Sequence, residues 1–308
     1  MYKIIVLLIS MLAIIFVWFN YTSTTVGFIY NPITNAAEYL GLKNYRVNFV
    51  ASNIDSDLEK FFKYLSSRGV KFVVGPSMSV DGKKVLPFLK KYNILALSPT
   101  ITSTELLKSG YIYSLMPPNK SIVLAFQEYL EKLGCSNLLL VLDDSNREYS
   151  DEFKSLLNYF PGDFVYYQEL SSIKNVPVEK YDTAVLTTVE KDSFEIIKFL
   201  KTKNPKIRIF ATEASFSKEF LRLGGIFLED TYFLVSKLHS TEGVELVMIE
   251  NWVDFIQKHR FLSTQQFKRF INTHIIKVGE RYVYFTEEGV KEDLQLYVVK
   301  DGKFKEVQ

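Results

Sequence analysis

Hydroxyl side chains follow two apolar runs in the first third of the chain. Ser79 comes after the run Phe72–Val74, and a helix-like segment separates that run from the next. Thr100 and Thr102 come after this second run, Ile94–Leu97. Ligands of an open α/β sheet bind just past the carboxyl ends of its strands, where short hydroxyls and bare backbone N–H groups suit a small anion. The pattern therefore predicts a site for a carboxylate or a similar anion at these two loops.

An acidic residue holds the same kind of position later in the chain. Glu213 follows the apolar run Ile207–Ala211 and precedes a helix-like segment. Its place at a strand end makes it a candidate ligand contact. Two alternatives stay open. Acids in such loops are often solvated or placed at a helix N-terminus, and Ser and Thr before helices often serve only as caps.

Residue patterns of the common enzyme classes are absent from the sequence. It has no nucleophile elbow, P-loop or dinucleotide-binding glycine pattern, and its three histidines are not at metal-ligand spacing. Asp143 and Asp144 stand together at a strand end with no histidine near them, which favours a hydrogen-bonded turn over a metal or acid–base site. Cys135 is the only cysteine, so a disulfide within the chain is excluded. We therefore expect a protein that is not an enzyme and that holds no cofactor or metal.

Composition and charge narrow the class further. The 308 residues are 47% hydrophobic and 23% charged, which predicts packed cores and a chain long enough for two domains. The formal net charge of +2 gives no reason to expect a nucleic-acid partner.

The N-terminus predicts the compartment. An uncharged apolar run spans residues 4–19 and follows Lys3, with Trp18 and Phe19 at its end. Its 16 residues lie between the core of a signal peptide and a full membrane span. Because no lipid-attachment cysteine or Ala-x-Ala pattern follows, a signal anchor is favoured over a cleaved signal peptide within residues 1–24. Either interpretation places the rest of the chain outside the cytoplasm.

Short apolar runs alternate with helix-like segments after residue 24. This alternation predicts parallel sheets covered on both faces, hence an α/β fold of two doubly wound units. Pro117-Pro118 separates the units. The predicted strands are 26–30, 46–51, 72–74, 94–97, 111–115, 137–142, 164–167, 183–187, 207–211 and 231–235, followed by 281–285, 294–299 and 304–307. The predicted helices are 55–68, 83–92, 120–133, 150–159, 191–201, 215–223, 241–258 and 263–272. Ser56 and Glu59 form a candidate capping box for the first helix.

Three segments together resemble the branched-chain amino-acid-binding proteins, which are type I periplasmic binding proteins and solute receptors of ABC importers. They read VVGPSMSVDGKKVLPFLKKYNILALSPTITSTELL, YIYSLMPPN and LLLVLDDSNREYSDEF, and the closing VVKDGKFKEV is similar to the family's terminal strand. The resemblance covers roughly residues 26–307. It implies two doubly wound lobes, crossed by hinge strands, that close on a ligand. The N-terminal lobe would comprise 25–117 and 237–277, and the C-terminal lobe 118–236 and 278–308.

The resemblance also implies roles for individual residues. Ser79 would meet the carboxylate of an amino acid, and Thr100 and Thr102 would bind its head group through backbone and hydroxyl. Tyr149 would supply an aromatic contact from the facing lobe, and Glu213 would pair with the ligand ammonium. The implied function is an extracytoplasmic solute-binding protein serving ABC-type transport, with a transporter membrane component as a partner and the apolar N-terminal helix as a membrane tether.

Two departures from the family pattern support an alternative. Val189 stands where the family has an aromatic residue. Only 14 residues separate Tyr30 from Tyr45, so the first crossover has room for at most a short helix. The alternative is a membrane-tethered interaction or structural protein that keeps the fold but binds no ligand. Ligand identity and oligomeric state do not follow from the sequence.

Overall fold

The computed structural model describes residues 4–5, 8–12, 14, 24–34, 47–237, 239, 241, 244–278 and 281–307. Within these residues no helix is both long and apolar enough to cross a membrane. Half of the predicted tether at residues 4–19, and most of the short crossover after Tyr30, lie outside the described residues.

The first sheet is parallel and has the strand order β2-β1-β3-β4-β5. Its strands are β1 Thr24–Tyr30, β2 Val47–Asn53, β3 Phe72–Val74, β4 Leu95–Ser98 and β5 Ile112–Ser114. The helices that follow them along the chain are α1 Leu58–Ser67, α2 Ser79–Tyr92 and α3 Thr104–Lys108. Because successive strand residues point to opposite faces, Val73 packs among α1 and α2 while Phe72 and Val74 pack into a second core on the other face. The sheet is therefore buried on both sides.

The second sheet has seven strands in the order β15-β14-β10-β9-β8-β6-β7. Its parallel strands are β6 Leu138–Asp143, β7 Gly162–Tyr167, β8 Thr183–Leu186, β9 Arg208–Ala211 and β10 Thr231–Ser236. The antiparallel strands β14 Leu294–Lys300 and β15 Lys303–Glu306 complete it. Its helices are α4 Asn119–Lys132, α5 Arg147–Leu157, α6 Glu190–Lys203 and α7 Lys218–Gly224, with short 3₁₀ turns at Leu170–Ile173, Val178–Lys180, Glu213–Ser215 and Gly225–Leu228. The α/β prediction with parallel-sheet lobes is confirmed.

A third group of elements follows β10. It consists of α8 Val244–His259, α9 Thr264–Ile271 and a small antiparallel sheet of β11 Ile275–Val278, β12 Arg281–Thr286 and β13 Gly289–Lys291. Side chains from both helices and from this sheet, including Trp252, Phe267 and Phe285, enter the core beneath the first sheet. The lobe boundaries stay a prediction. Phe285 and Val290 nevertheless pack with the first lobe, although the predicted division assigns them to the second.

Helix α1 illustrates how sequence pattern becomes packing. Its buried residues Leu58, Phe61, Phe62 and Leu65 recur at helical spacing and so form one apolar face against the sheet. The helix begins after Asp57, whose carboxylate accepts a hydrogen bond from the backbone N–H of Lys60 at 2.9 Å. The predicted Ser56–Glu59 capping box is therefore wrong by one position. Asp57 lies closer to the first turn and provides the stronger anionic acceptor at a helix N-terminus.

Gly75 is required where β3 leads into the hydroxyl-rich loop. Its φ of +86° lies in a region that L side chains rarely adopt. A Cβ atom there would lie 2.1 Å from the carbonyl oxygen of Ile29 on the neighbouring strand β1. Only glycine therefore allows the loop to cross so close to β1 and deliver Ser77 and Ser79 to the strand ends.

Candidate functional site

The loops after β3 and β4 meet because these strands are neighbours in the sheet, with Val74 paired to Leu97. The buried hydroxyl of Ser98 joins them: it donates to the Pro76 carbonyl at 2.6 Å and accepts from the Ile101 N–H at 3.0 Å. Thr100 adds a second bond between the loops by donating its hydroxyl to the Ser77 carbonyl at 2.9 Å. The two loops therefore form one rigid unit at the carboxyl edge of the first sheet.

Ser79 and Thr102 are buried within this unit. Ser79 is the first residue of α2, and its hydroxyl oxygen lies 3.4 Å from the backbone N–H of Ser103. The Thr102 carbonyl accepts from the N–H of Asn119 at 2.7 Å, which ties the loop to the start of α4. Ser79, Thr100 and Thr102 therefore lie in two loops that hydrogen bonds join, and their contact with a ligand stays a prediction.

Trp252 of α8 contacts Ser98, the residue that joins these loops, from the core of the first lobe. Its side chain is fully buried, and its indole N–H donates to the Ser98 carbonyl at 2.7 Å. A large ring and a directional bond thereby fix the end of β4. The sequence gives no indication of this bond, because Trp252 and Ser98 are 154 residues apart.

Tyr149 and Glu213 meet at the carboxyl edge of the second sheet. Tyr149 lies in the first turn of α5 and is 5% exposed, and Glu213 opens the 3₁₀ turn after β9. The Tyr149 hydroxyl donates to Glu213 Oε1 at 3.1 Å. The second carboxylate oxygen, Oε2, is buried and has no hydrogen-bond partner among the described residues. One buried acceptor atom of this partly buried acid is therefore left open.

Burial raises the pKa of Glu213 to about 7, and hydrogen bonds from the Tyr149 hydroxyl and its own backbone N–H lower it only in part. The pKa of Tyr149 is also raised well above its usual value, first by burial and then by the neighbouring Glu213 charge. No Lys or Arg is ion-paired with Glu213 among the described residues. A cation placed at Oε2 would stabilise the charged carboxylate strongly, because an unpaired charge in a dry site is costly.

Polar contacts from α5 bridge the two lobes. The amide oxygen of Asn146, the N-cap residue of α5, accepts from the N–H of Val80 in the first turn of α2 at 3.1 Å. Glu152 Oε2 accepts from the N–H of Thr104 at 3.0 Å. At the rim, Lys83 and Glu148 form an ion pair of 2.6 Å.

These bridging residues were missed by the sequence analysis, which starts this helix at Ser150 instead of Arg147. Asn146 could have been recognised as an N-cap, since asparagine is favoured there. The first helical turn carries little apolar periodicity, and the predicted start is therefore three residues too late.

No protein-family model matches the sequence, and no curated protein matches it. Solved structures match its fold across nearly the whole chain. The leucine-binding protein LivK of Thermotoga maritima superposes with a TM-score of 0.72 at 13% identity, covering 92% of this chain and 98% of that chain. The chain has the fold of the type I periplasmic binding proteins.

Two further solved structures of similar fold contain ligands. The substrate-binding protein LivJ of Streptococcus pneumoniae, solved with isoleucine, has a TM-score of 0.71 at 13% identity, covering 92% of this chain and 98% of that chain. A solute-binding protein of Rhodopseudomonas palustris, solved with benzoate, has a TM-score of 0.69 at 12% identity, covering 92% of this chain and 95% of that chain.

In a periplasmic binding protein fold the two lobes close around a ligand by a hinge motion. Here the hydroxyl-rich loops follow strands of the first sheet, and the Tyr149–Glu213 pair follows strands of the second. Within the part of the chain that the structure describes, no direct hydrogen bond joins the two groups, and the Asn146–Val80 contact is one of the bonds that link their helices. Val189 is 44% exposed at the start of α6.

We predict that Asn146→Ala weakens the contact between the lobes. The change removes the acceptor for the Val80 N–H, and a lost N-terminal helix bond of this kind costs about 1 kcal/mol in free energy of unfolding. Urea denaturation of the ligand-free protein measures the loss. Asn158→Ala, at the exposed C-terminal end of the same helix, is the control. Equal losses in the two variants would contradict a bridging role for Asn146.

Asp143 and Asp144 form the turn that the sequence predicts. Asp143 Oδ1 accepts from the N–H of Ser145 at 2.8 Å, and Asp144 forms an ion pair with Arg147. Within the described residues no group of three His, Cys, Asp or Glu side chains is placed to hold a metal ion.

Proposed function

We propose that this protein is an extracytoplasmic solute receptor that binds a small α-amino acid, or a close analogue, between its lobes. The observation that carries the proposal is the buried Glu213 carboxylate, bonded by Tyr149 on one oxygen and open on the other. A ligand ammonium at Oε2 would supply the missing partner and the missing positive charge. Charge-assisted hydrogen bonds of this kind are stronger than neutral ones.

The hydroxyl-rich loops are the partner for the other end of such a ligand. Ser79, Thr100 and Thr102 would meet its carboxylate through hydroxyl and backbone N–H groups, helped by the positive end of the 14-residue helix α2. An amino acid has both charges on one carbon and would therefore touch both lobes. Contacts from both lobes favour the closed form, which is the state a receptor presents to its partner.

The partner we propose is the membrane component of an ABC-type importer, with residues 4–19 as the tether that keeps the body at the membrane. The same-fold proteins solved with isoleucine and benzoate are receptors. No catalytic step is proposed.

Isothermal titration calorimetry of the body, residues 25–308, tests the proposal. The panel contains the common α-amino acids and, for each binder, the matching carboxylic acid without the amino group, such as leucine against 4-methylpentanoate. We expect at least one amino acid to bind with micromolar or better affinity and its des-amino analogue to bind about 100-fold more weakly. Absence of heat and of a thermal shift for every α-amino acid would contradict the proposal.

The alternative is a membrane-tethered interaction protein with no ligand. It predicts no binding for any member of the panel and no effect of changing Glu213 on anything but stability. A third outcome, in which 4-methylpentanoate binds as well as leucine, would keep a receptor but remove the ammonium from its ligand.

A further inference from the structure

A cavity lies in the first lobe at the sheet edge formed by β5. Its volume is about 560 Å³, within the range of small-molecule sites. It lies between β5, the end of α3 and the turn that joins β12 to β13. None of Ser79, Thr100, Thr102, Tyr149 and Glu213 lines it.

The cavity combines apolar walls with one buried hydroxyl. Leu107, Ile112 and Phe285 supply apolar surface, and Tyr113 lines the cavity with a side chain that is 5% exposed. The Tyr113 hydroxyl is buried and has no hydrogen-bond partner among the described residues. Asn272, which lines the same cavity, is near enough to influence the pKa of Tyr113 but does not form a hydrogen bond of normal geometry with its hydroxyl.

An unpartnered buried hydroxyl calls for an explanation, because burying one without a bond costs about 1–3 kcal/mol by protein mutational data. The ring of Tyr113 packs edge-on against Phe267 and Phe285, which fixes the position of the hydroxyl. Burial raises the pKa of Tyr113 to about 12, so the group stays a proton donor at any physiological pH.

The strand beneath the cavity adds further hydrogen-bonding capacity. β5 is the last strand of the first sheet, and an edge strand presents backbone N–H and C=O groups that no neighbouring strand takes up. At the mouth, Lys108 and Lys120 both pair with Glu288, at 2.9 Å and 3.0 Å, and Glu287 lies beside it. The charges of these two lysines and two glutamates cancel. The mouth of the cavity therefore favours neither an anionic nor a cationic ligand.

We propose that this cavity is a second binding site, specific for an uncharged small molecule that joins an apolar ring or branched body to a hydrogen-bond acceptor such as an amide. The acceptor faces the Tyr113 hydroxyl, and the apolar body lies against Leu107, Ile112 and Phe285. The site is separate from the cleft and needs no amino acid to be bound.

Benzamide is the probe, and methyl NMR of the protein body labelled at Ile and Leu is the measurement. We expect benzamide to bind with millimolar or better affinity and to shift the Ile112 and Leu107 methyl signals. Tyr113→Phe keeps the ring and removes only the hydroxyl; it should weaken benzamide about fivefold, the value of one neutral hydrogen bond. Its Tm should be unchanged or higher, since no protein bond is lost. Tyr181→Phe, a buried tyrosine bonded to Asp163 in the other lobe, is the control and should leave benzamide affinity unchanged.

Benzoate separates charge from shape because it has the same ring with an anionic head, and it should bind at least tenfold more weakly. Three results would overturn the proposal: no shift of the Ile112 and Leu107 methyls, equal benzamide affinity in the wild type and Tyr113→Phe, or equal affinity for benzoate. A fall in Tm for Tyr113→Phe in the absence of any probe would point to a structural water on the hydroxyl instead of a ligand. All of these readouts are independent of amino-acid binding in the cleft.

Discussion

Replacing Glu213 by glutamine should abolish most amino-acid binding while making the ligand-free protein more stable at alkaline pH. The variant keeps the size of the side chain and an acceptor for the Tyr149 hydroxyl, but it removes the negative charge. Truncating one partner of a buried charge pair costs about 2–5 kcal/mol, which corresponds to a loss of affinity between about 30-fold and several thousandfold. Calorimetry with the tightest amino acid of the panel measures this loss.

The stability change has the opposite sign because the ligand-free site contains no cation. The folded protein raises the pKa of Glu213 from 4.5 to about 7, so the folded state holds a proton that the unfolded chain releases. The favourable contribution is complete below pH 4.5 and is lost as the pH rises through 7. Above that pH the buried charge costs about 3 kcal/mol. Glu213→Gln removes this cost. The free energy of unfolding of the variant should therefore be higher than that of the wild type at pH 8 and equal to it near pH 4.5.

A matched control separates the site from general effects of charge. Glu219 lies six residues later, is 63% exposed and forms a surface pair with Arg222. Glu219→Gln should change neither affinity nor the pH dependence of unfolding. If Glu213→Gln binds amino acids as the wild type does, the ammonium does not lie at Oε2. If it is less stable than the wild type at pH 8, the carboxylate is charged and paired, contrary to the geometry.

The same pKa predicts how binding depends on pH. An ammonium ligand needs the ionised carboxylate, so affinity should rise with pH, reach a plateau above about pH 8 and fall about tenfold per pH unit below 7. Glu213→Gln should flatten this dependence. A wild-type profile without a step near pH 7 would mean that another group carries the ligand's positive charge.

Most of the parallel strands were predictable because each is a continuous apolar run buried on both faces. The strand β3 was placed without error, and most of its parallel neighbours within one or two residues. The strand β7 shows where this pattern stops. It is an edge strand that begins with exposed Gly162 and Asp163, and the apolar run that marks it starts only at Phe164.

Long-range placement was harder to predict than the elements themselves. The strand β12 was predicted at residues 281–285, where apolar and aromatic residues follow one another, but nothing in that run indicates which lobe it covers. Phe285 decides this by packing near Tyr113 and Trp252 in the first-lobe core. Such a choice depends on the summed fit of distant surfaces, which is not encoded in any one segment.

The two halves of the site were predictable to different degrees. Ser79, Thr100 and Thr102 follow from the rule that ligands bind at the carboxyl ends of parallel strands, since adjacent strands bring adjacent loops together. Tyr149 came only from family resemblance, because an aromatic residue on a helix has no local pattern that distinguishes contact from packing. The contact of Asn146 with the other lobe depends on the distance between the lobes, and no sequence pattern predicts that distance.

Trp252→Ala should be among the most destabilising single changes in the protein, at about 3–5 kcal/mol in free energy of unfolding. The fully buried ring leaves a large cavity in the first-lobe core, and the Ser98 carbonyl loses the indole donor at 2.7 Å. Trp252→Phe should cost about 2 kcal/mol, because it keeps an aromatic ring but loses volume and the bond. Chemical denaturation monitored by circular dichroism measures both.

Trp252→Phe should also weaken amino-acid binding, although Trp252 itself faces the core. The indole bond holds the residue that joins both hydroxyl-rich loops: Ser98 contacts Pro76 on one side and Ile101 on the other. Without the indole bond, Ser98 is held less firmly, and Ser79 and Thr100 can move from their positions. Hydrogen-bond donors that are misplaced bind a carboxylate much less well. Phe220→Leu, in the fully buried core of the other lobe, should lower stability by a similar amount without changing affinity. Equal affinities in the two variants would mean that the loops hold their positions without the tryptophan.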